Sequence, residues 1–169
     1  MWVGERGGQV KEVRVYLDTN VYGRPFDDQS QERIREEAEA FVEVLAEVVD
    51  GTTTLIGSDI LKLEVQRNPE AVERERIAAY LACCALVVPV SEGLLGLARE
   101  LRRIGLRVRD ALHVASAAAG NAHYFLTCDD EVVKRRPAIT RVLTSRGFRL
   151  DVLNPLSFCH LRGQGDIET

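Results

Sequence analysis

Val13-Arg14-Val15-Tyr16-Leu17-Asp18-Thr19-Asn20 is a short β-branched and aromatic run that ends abruptly on an acid and small polar residues. β-branched and aromatic side chains suit a pleated, covered surface, so the first five residues read as a strand and Asp18 as the residue that leaves it. The same figure returns in Phe125-Leu126-Thr127-Cys128-Asp129-Asp130, where the run from Ala122 to Thr127 leads to Asp129. Three further runs, Thr52 to Ile56, Ala85 to Val90 and Phe148 to Leu153, have the same character. Between them the apolar spacing changes to three and four. Ser30 is placed to cap a helix through about Val49, with Ile34, Ala38, Phe41, Leu45 and Val48 on one face, a face suited either to the core or to a dimer. Ser58 opens a short helix to about Gln66, stopped by Asn68-Pro69, and another follows from Glu70 to about Cys84. Ser91 opens a helix ending near Gly105, Val108 to Ala119 forms the next, and a short helical region lies near Val132. Five strands alternating with helices predict an α/β protein: a three-layer α/β/α sandwich with a mainly parallel, roughly five-stranded sheet. The strands are continuous apolar runs, as expected of a sheet covered on both faces.

Composition agrees. The chain has 169 residues, 46% apolar and 28% charged, which fits one domain with a real core and excludes a disordered or collagen-like chain. No stretch approaches the roughly 18 apolar residues of a membrane span. Residues 1–10 carry Glu5, Arg6 and several glycines in place of the apolar centre of a secretory signal, so a cytoplasmic protein is expected. The expected organisation is a flexible segment over 1–10, one domain over 11–160 and a flexible tail over 161–169.

Charge is unevenly spread. The net charge is 22 − 26 = −4, yet Lys134 to Arg149 holds six basic residues and no acid, and Arg99 to Arg109 holds five arginines against Glu100 alone. Gln31 to Asp50 has seven acids against Arg33 and Arg35. Solvated helix surfaces account for such runs as readily as a polyanion site does. Cys83, Cys84, Cys128 and Cys159 show neither a disulfide framework nor zinc spacing and read as small apolar residues or free thiols.

In open α/β sheets ligands bind beyond the carboxyl ends of the strands. Four acids from separated segments are predicted there: Asp18, Glu64 in the helix after the second strand, Asp110 in the first turn of an apolar helix, and Asp129. Singly, each has an ordinary explanation as a turn or cap residue or a surface acid. Together they would repel, by about 4 kcal/mol per pair at 4 Å and an effective dielectric near 20. No Lys or Arg adjoins Asp18 or Asp129 in sequence, and hard divalent cations, Mg²⁺ or Mn²⁺, are the expected counter-charge. Two such ions activate water and steady a leaving oxygen in phosphodiester hydrolysis.

The segments Val15-Tyr16-Leu17-Asp18-Thr19-Asn20-Val21, Leu61-Lys62-Leu63-Glu64-Val65, Asp110-Ala111-Leu112-His113-Val114-Ala115 and Phe125-Leu126-Thr127-Cys128-Asp129 resemble, in order and spacing, the four motifs of PIN domains, over roughly Val13 to Phe158. The resemblance implies a metal-dependent ribonuclease fold, with Asp18, Glu64, Asp110 and Asp129 as the catalytic, metal-binding acids. It also implies supporting roles for Asn20, Thr127 and Asp130. Many similar proteins are VapC-like toxins, which are usually dimeric and are inhibited by a small antitoxin, so RNA, an antitoxin and a second copy are the partners implied. The Arg24-Pro25-Phe26-Asp27-Asp28 loop stands outside the general toxin pattern. RNA would need positive charge near the acids, and Arg102, Arg103, Arg107, Arg109, Lys134, Arg135 and Arg136 are the candidates.

A different class is a PIN-like fold that binds RNA or protein without cutting. Haloacid-dehalogenase-type phosphoryl transfer wants an Asp where Asn20 stands, and a receiver domain wants a Lys where Asn154-Pro155 stands. Neither dinucleotide nor P-loop glycine fingerprint is present. His113 reads as a packing or hydrogen-bonding residue, and His123 and His160 lack metal-ligand spacing.

Overall fold

β1 (Val13–Leu17) is the middle strand of the sheet, and its last three residues, Val15, Tyr16 and Leu17, are wholly buried. The computed structural model describes residues 12–165. β2 (Thr53–Ser58) and β4 (Tyr124–Leu126) flank β1, and β3 (Leu86–Val88) and β5 (Asp151–Leu153) form the edges, giving the order β3-β2-β1-β4-β5. Every pairing is parallel, with Val15 opposite Leu55 on one side and Tyr16 opposite Phe125 on the other. The α/β sandwich expected from the alternation is therefore present.

The helices are α1 (Thr19–Gly23), α2 (Glu32–Asp50), α3 (Asp59–Gln66), α4 (Ala71–Leu81), α5 (Glu92–Arg103), α6 (Val108–Ala119), α7 (Asp130–Lys134), α8 (Arg136–Ser145) and α9 (Pro155–Gly165), with a 3₁₀ turn over Arg24–Phe26. The chain runs outward from β1 through β2 to β3, then returns across the sheet to β4 and continues to β5. Right-handed crossovers put α2 on one face and α5 and α6 on the other. Consistently, α6 lies against β2, β3 and β4, while α2 lies against β2 and α9. The direction reverses between β1 and β4, so the crevice beyond their carboxyl ends is the topological switch point where such sheets take ligands. Gly120, at the end of α6, makes this packing close: a Cβ there would stand 2.7 Å from Ile56 Cγ2 and 2.8 Å from Val88 Cγ2.

The α2 face carrying Phe41 belongs to the core, since Phe41 is 1% exposed and meets Tyr22 and Tyr80 edge-on. Ser58 and Ser91 cap α3 and α5 as expected, each accepting a hydrogen bond from the backbone N three residues on. Ser30 does not cap α2. Gln31 holds that position without a side-chain capping bond, and Ser30 instead bonds Asp28 Oδ1 through both its N and its hydroxyl.

Three helices lie beyond those expected, α1, α8 and α9, and the last two begin with or just before a proline, Pro137 and Pro155. Proline's missing N–H costs nothing in a first turn, and its fixed φ suits one. Helix α9 runs to Gly165, five residues into the expected tail from 161, whereas the expected segment 1–10 and residues 166–169 lie outside the described residues. All four cysteines are free thiols. No helix among the described residues is long and apolar enough to cross a membrane.

Candidate active site

Asp18 leaves β1 as the N-cap of α1, its Oδ1 accepting from Thr19 N at 2.7 Å, and is 1% exposed. Its Oδ2 accepts from the Thr127 hydroxyl at 2.9 Å and from Asn20 Nδ2 at 3.2 Å. The same Thr127 oxygen accepts from Asp129 N at 3.1 Å, and Asn20 Oδ1 accepts from Cys128 N at 3.0 Å. The loops after β1 and β4 are thus stitched together around one buried carboxylate. Asn20 and Thr127, the supporting residues the resemblance implies, both donate to this carboxylate.

Glu64 reaches the same crevice from α3, which Ser58 starts by accepting from Leu61 N. Its carboxylate accepts from the Thr19 hydroxyl and from Arg109 Nε at 2.6 Å, and His113 Nε2 stands 3.0 Å away. His113 is fully buried, its Nδ1 lying 2.7 Å from the Tyr16 hydroxyl, which in turn meets Ser58 Oγ at 2.7 Å. Burial pushes the Glu64 carboxyl up, but His113 and Arg109 outweigh it and hold the group down at about 2.

Asp110, in the first turn of α6, is 5% exposed and has Arg107 Nε at 3.6 Å. Asp129 caps α7 by accepting from Glu131 N at 2.9 Å, and its other oxygen lies 3.5 Å from the Arg107 guanidinium. Arg109 completes the set, 3.6 Å from Asp18 Oδ1. Burial raises the Asp110 carboxyl above the ordinary range, and the charges of Asp18 and Asp129 raise it further. The four acids therefore meet at one end of the sheet, bridged pairwise by two arginines: Arg109 between Asp18 and Glu64, and Arg107 between Asp110 and Asp129.

Those bridges correct one expectation. Sequence adjacency offered Asp18 and Asp129 no cationic partner, yet Arg107 reaches Asp129 across 22 positions, and Arg109, which pairs with Glu64 across 45, also stands 3.6 Å from Asp18. Their placement three residues and one residue before Asp110 was the signal available. The donor set suits a hard divalent cation, being all carboxylate oxygen, partly buried and still in excess of the two guanidiniums. As the side chains stand, no group of three His, Cys, Asp or Glu among the described residues is close enough to hold an ion, because the oxygens turn toward Arg107 and Arg109.

The other predicted residues divide. Asp130 turns away from Asp129 and accepts both terminal nitrogens of Arg33, each at 2.7 Å. Lys134 bonds Glu131 at 2.8 Å, Arg135 bonds the Glu131 carbonyl at 2.8 Å, and Arg136 forks onto Asp151 at 2.6 Å. Arg102 and Arg103 end α5 exposed, with no side-chain ion pair or hydrogen bond among the described residues. A cleft of about 240 Å³ between Arg107 and Arg135 adjoins Asp110. A larger one, about 990 Å³, lies where β1, β4 and β5 begin, and its described lining includes none of the four acids.

The family pattern described as "PIN domain" matches residues 15–137, a span containing all four acids. Among solved structures, a chain from the crystal structure of VapBC2 from Rickettsia felis, bound to a DNA fragment from their promoter, superposes with a TM-score of 0.50 at 18% identity. The match covers 83% of this chain and 98% of that one, and shows a shared fold. No curated protein matches the sequence significantly.

Proposed function

The chain belongs to the PIN domain family, and on that premise we propose that it is an endoribonuclease dependent on Mg²⁺ or Mn²⁺, with Asp18, Glu64, Asp110 and Asp129 as the catalytic, metal-binding acids. The observation carrying this reading is the meeting of four carboxylates from four separated segments at the switch point of the sheet, two of them almost fully buried. Divalent ions there would supply an activated water and charge stabilisation for the leaving 3′ oxygen of a phosphodiester.

The chain's own groups prepare for this. Thr127 and Asn20 fix the rotamer of Asp18 by donating to one oxygen, so its carboxylate cannot swing out of the crevice. Asp18, Asp110 and Asp129 form the principal ligand set. Glu64, oriented by Thr19, Arg109 and His113, stands at the second position. Arg107 and Arg109 occupy the carboxylates when no ion is bound. Released from them, both lie at the mouth of the crevice, where a phosphate backbone would pass.

RNA affinity then comes from charge around the crevice. Arg102 and Arg103 are the strongest candidates, because their guanidiniums are unengaged among the described residues. Lys134, Arg135 and Arg136 would first have to leave Glu131 and Asp151. The shared fold with a chain of the VapBC2 assembly supports a toxin role with a small antitoxin as partner; we further propose a cytoplasmic homodimer as the working form.

The test is cleavage of RNA by the purified protein, titrated with Mn²⁺. Cleavage should appear with the ion and vanish in Asp18→Asn and Asp110→Asn, both folded. Cleavage persisting in both variants would point to a contaminating nuclease, and RNA binding without any cutting would favour the non-cleaving module. Charge-swapping Arg102 and Arg103 should weaken RNA binding and flatten its salt dependence more than swapping Lys134, Arg135 and Arg136 does.

A further inference from the structure

Asp129 sits on a short turn between β4 and α7, and one residue from a distant helix grips that turn on both sides. Arg33, on α2, donates one terminal N–H to the carbonyl of Cys128 at 3.3 Å and two to the carboxylate of Asp130 at 2.7 Å. Its Nε donates to Glu37 Oε1 at 2.7 Å, so four of the five guanidinium donors are engaged. We propose that Arg33 is a positioning residue for Asp129, holding the acid by its two neighbours, and that buried Glu37 and Arg24 keep Arg33 in place. What Asp129 is for rests on the nuclease reading; that it is held this way does not.

An exposed ion pair by itself would carry little, because two long side chains lose freedom to make it and water screens it. This pair is anchored differently. Glu37 is 1% exposed, and its other oxygen accepts from Arg24 Nε at 2.6 Å. Asn154, just after β5, donates to Glu37 at 3.0 Å, and Arg24 reaches on to Asp27 at 2.9 Å. The result is a ladder of alternating charge: Asp27, Arg24, Glu37, Arg33, Asp130. A buried carboxylate left unpaired is costly, which fixes Arg33 Nε against Glu37. The guanidinium is planar, so once Nε is fixed its two terminal nitrogens are aimed, here at the turn carrying Asp129.

The ladder also gives a purpose to the Arg24-Pro25-Phe26-Asp27-Asp28 loop, which stands outside the general toxin pattern. It delivers Arg24 to the buried carboxylate, and Pro25 in the 3₁₀ turn sets the backbone there. Asp130 is thereby the handle by which the turn is held.

Two measurements on the full chain test this. In ion-free protein, amide hydrogen exchange at Cys128, Asp129 and Glu131 should quicken in Arg33→Ala and in Asp130→Ala, with the rest of the sheet unchanged. Calorimetric titration with Mn²⁺ should show affinity falling about tenfold in each, the size seen when groups that orient a ligand are removed. Arg33→Lys should recover only part, because an ammonium cannot fork, and the double variant should be no worse than the poorer single one. Unchanged exchange in both single variants overturns the proposal, as does a loss of protection spread evenly over the fold. If wild-type protein binds no Mn²⁺, or Asp129→Ala binds it normally, the nuclease reading fails instead, and the exchange measurement still judges the clamp.

Discussion

Glu64 and Asp110 face the same crevice and are treated in opposite ways. Glu64 has a hydroxyl, a guanidinium and an imidazole around it, and its carboxyl is held down to about 2 despite burial. Asp110 has one guanidinium contact at 3.6 Å and two like-charged neighbours, and its carboxyl is pushed up. One acid is settled in the ion-free fold and the other is strained by it. A site of like charges need not distribute its repulsion evenly: here the cost gathers on the acid that added positive charge would relieve most.

The comparison can be broken or sharpened at several points. The largest effect concerns activity: Asp18→Asn and Asp110→Asn should each lower Mn²⁺-dependent RNA cleavage by about a hundredfold to a thousandfold or more, measured under single-turnover conditions. Next is the competition between arginine and ion. Arg109→Gln should tighten Mn²⁺ binding, so that saturating Mn²⁺ raises the melting temperature of this variant more than that of wild type. An equal rise in both would mean that the Arg109 bridge does not oppose the ion. Smaller again, Asp110→Asn should raise the ion-free melting temperature by about 2–4 °C, the shift that roughly 1 kcal/mol produces in a chain of this size. A fall would show that Asp110 is not strained.

The last effect appears only in acid. Glu64 has a folded pKa of about 2 against roughly 4.3 unfolded. Its contribution to stability is therefore complete above the unfolded value and is lost as pH falls through the folded one. Glu64→Gln should reduce the loss of stability between about pH 4.3 and 2, in denaturant titrations at each pH. Asp110 works the other way: its raised pKa favours the folded state below the unfolded value and ceases to do so as pH rises through the folded one.

The strands and their parallel order were legible because buried parallel strands must be continuously apolar, and β1, Val13–Leu17, begins at the residue the pattern gave. The four acids stood out because Asp18 and Asp129 follow apolar strands, while Glu64 and Asp110 interrupt otherwise apolar helical segments. What could not be read was everything that depends on distance in space. Arg109 reaches Glu64 across 45 positions, Arg33 reaches Asp130 across 97, and neither spacing leaves a periodic mark in the chain. Helices α8 and α9 went unread, and each carries a proline, Pro137 or Pro155, in its first turn, where the missing N–H costs nothing. The run from Lys134 to Arg149 proved partly to be structural pairing, as Arg136 with Asp151 shows.

The hydrogen bond from Thr127 to Asp18 spans 109 positions, and that span orders events in time. A ribosome adding about 5–20 residues each second releases Asp18 many seconds before its clasp exists. Until β4 and the turn behind it have emerged, the growing polypeptide carries its acids unassembled, and a product interrupted upstream of Thr127 would lack the crevice altogether.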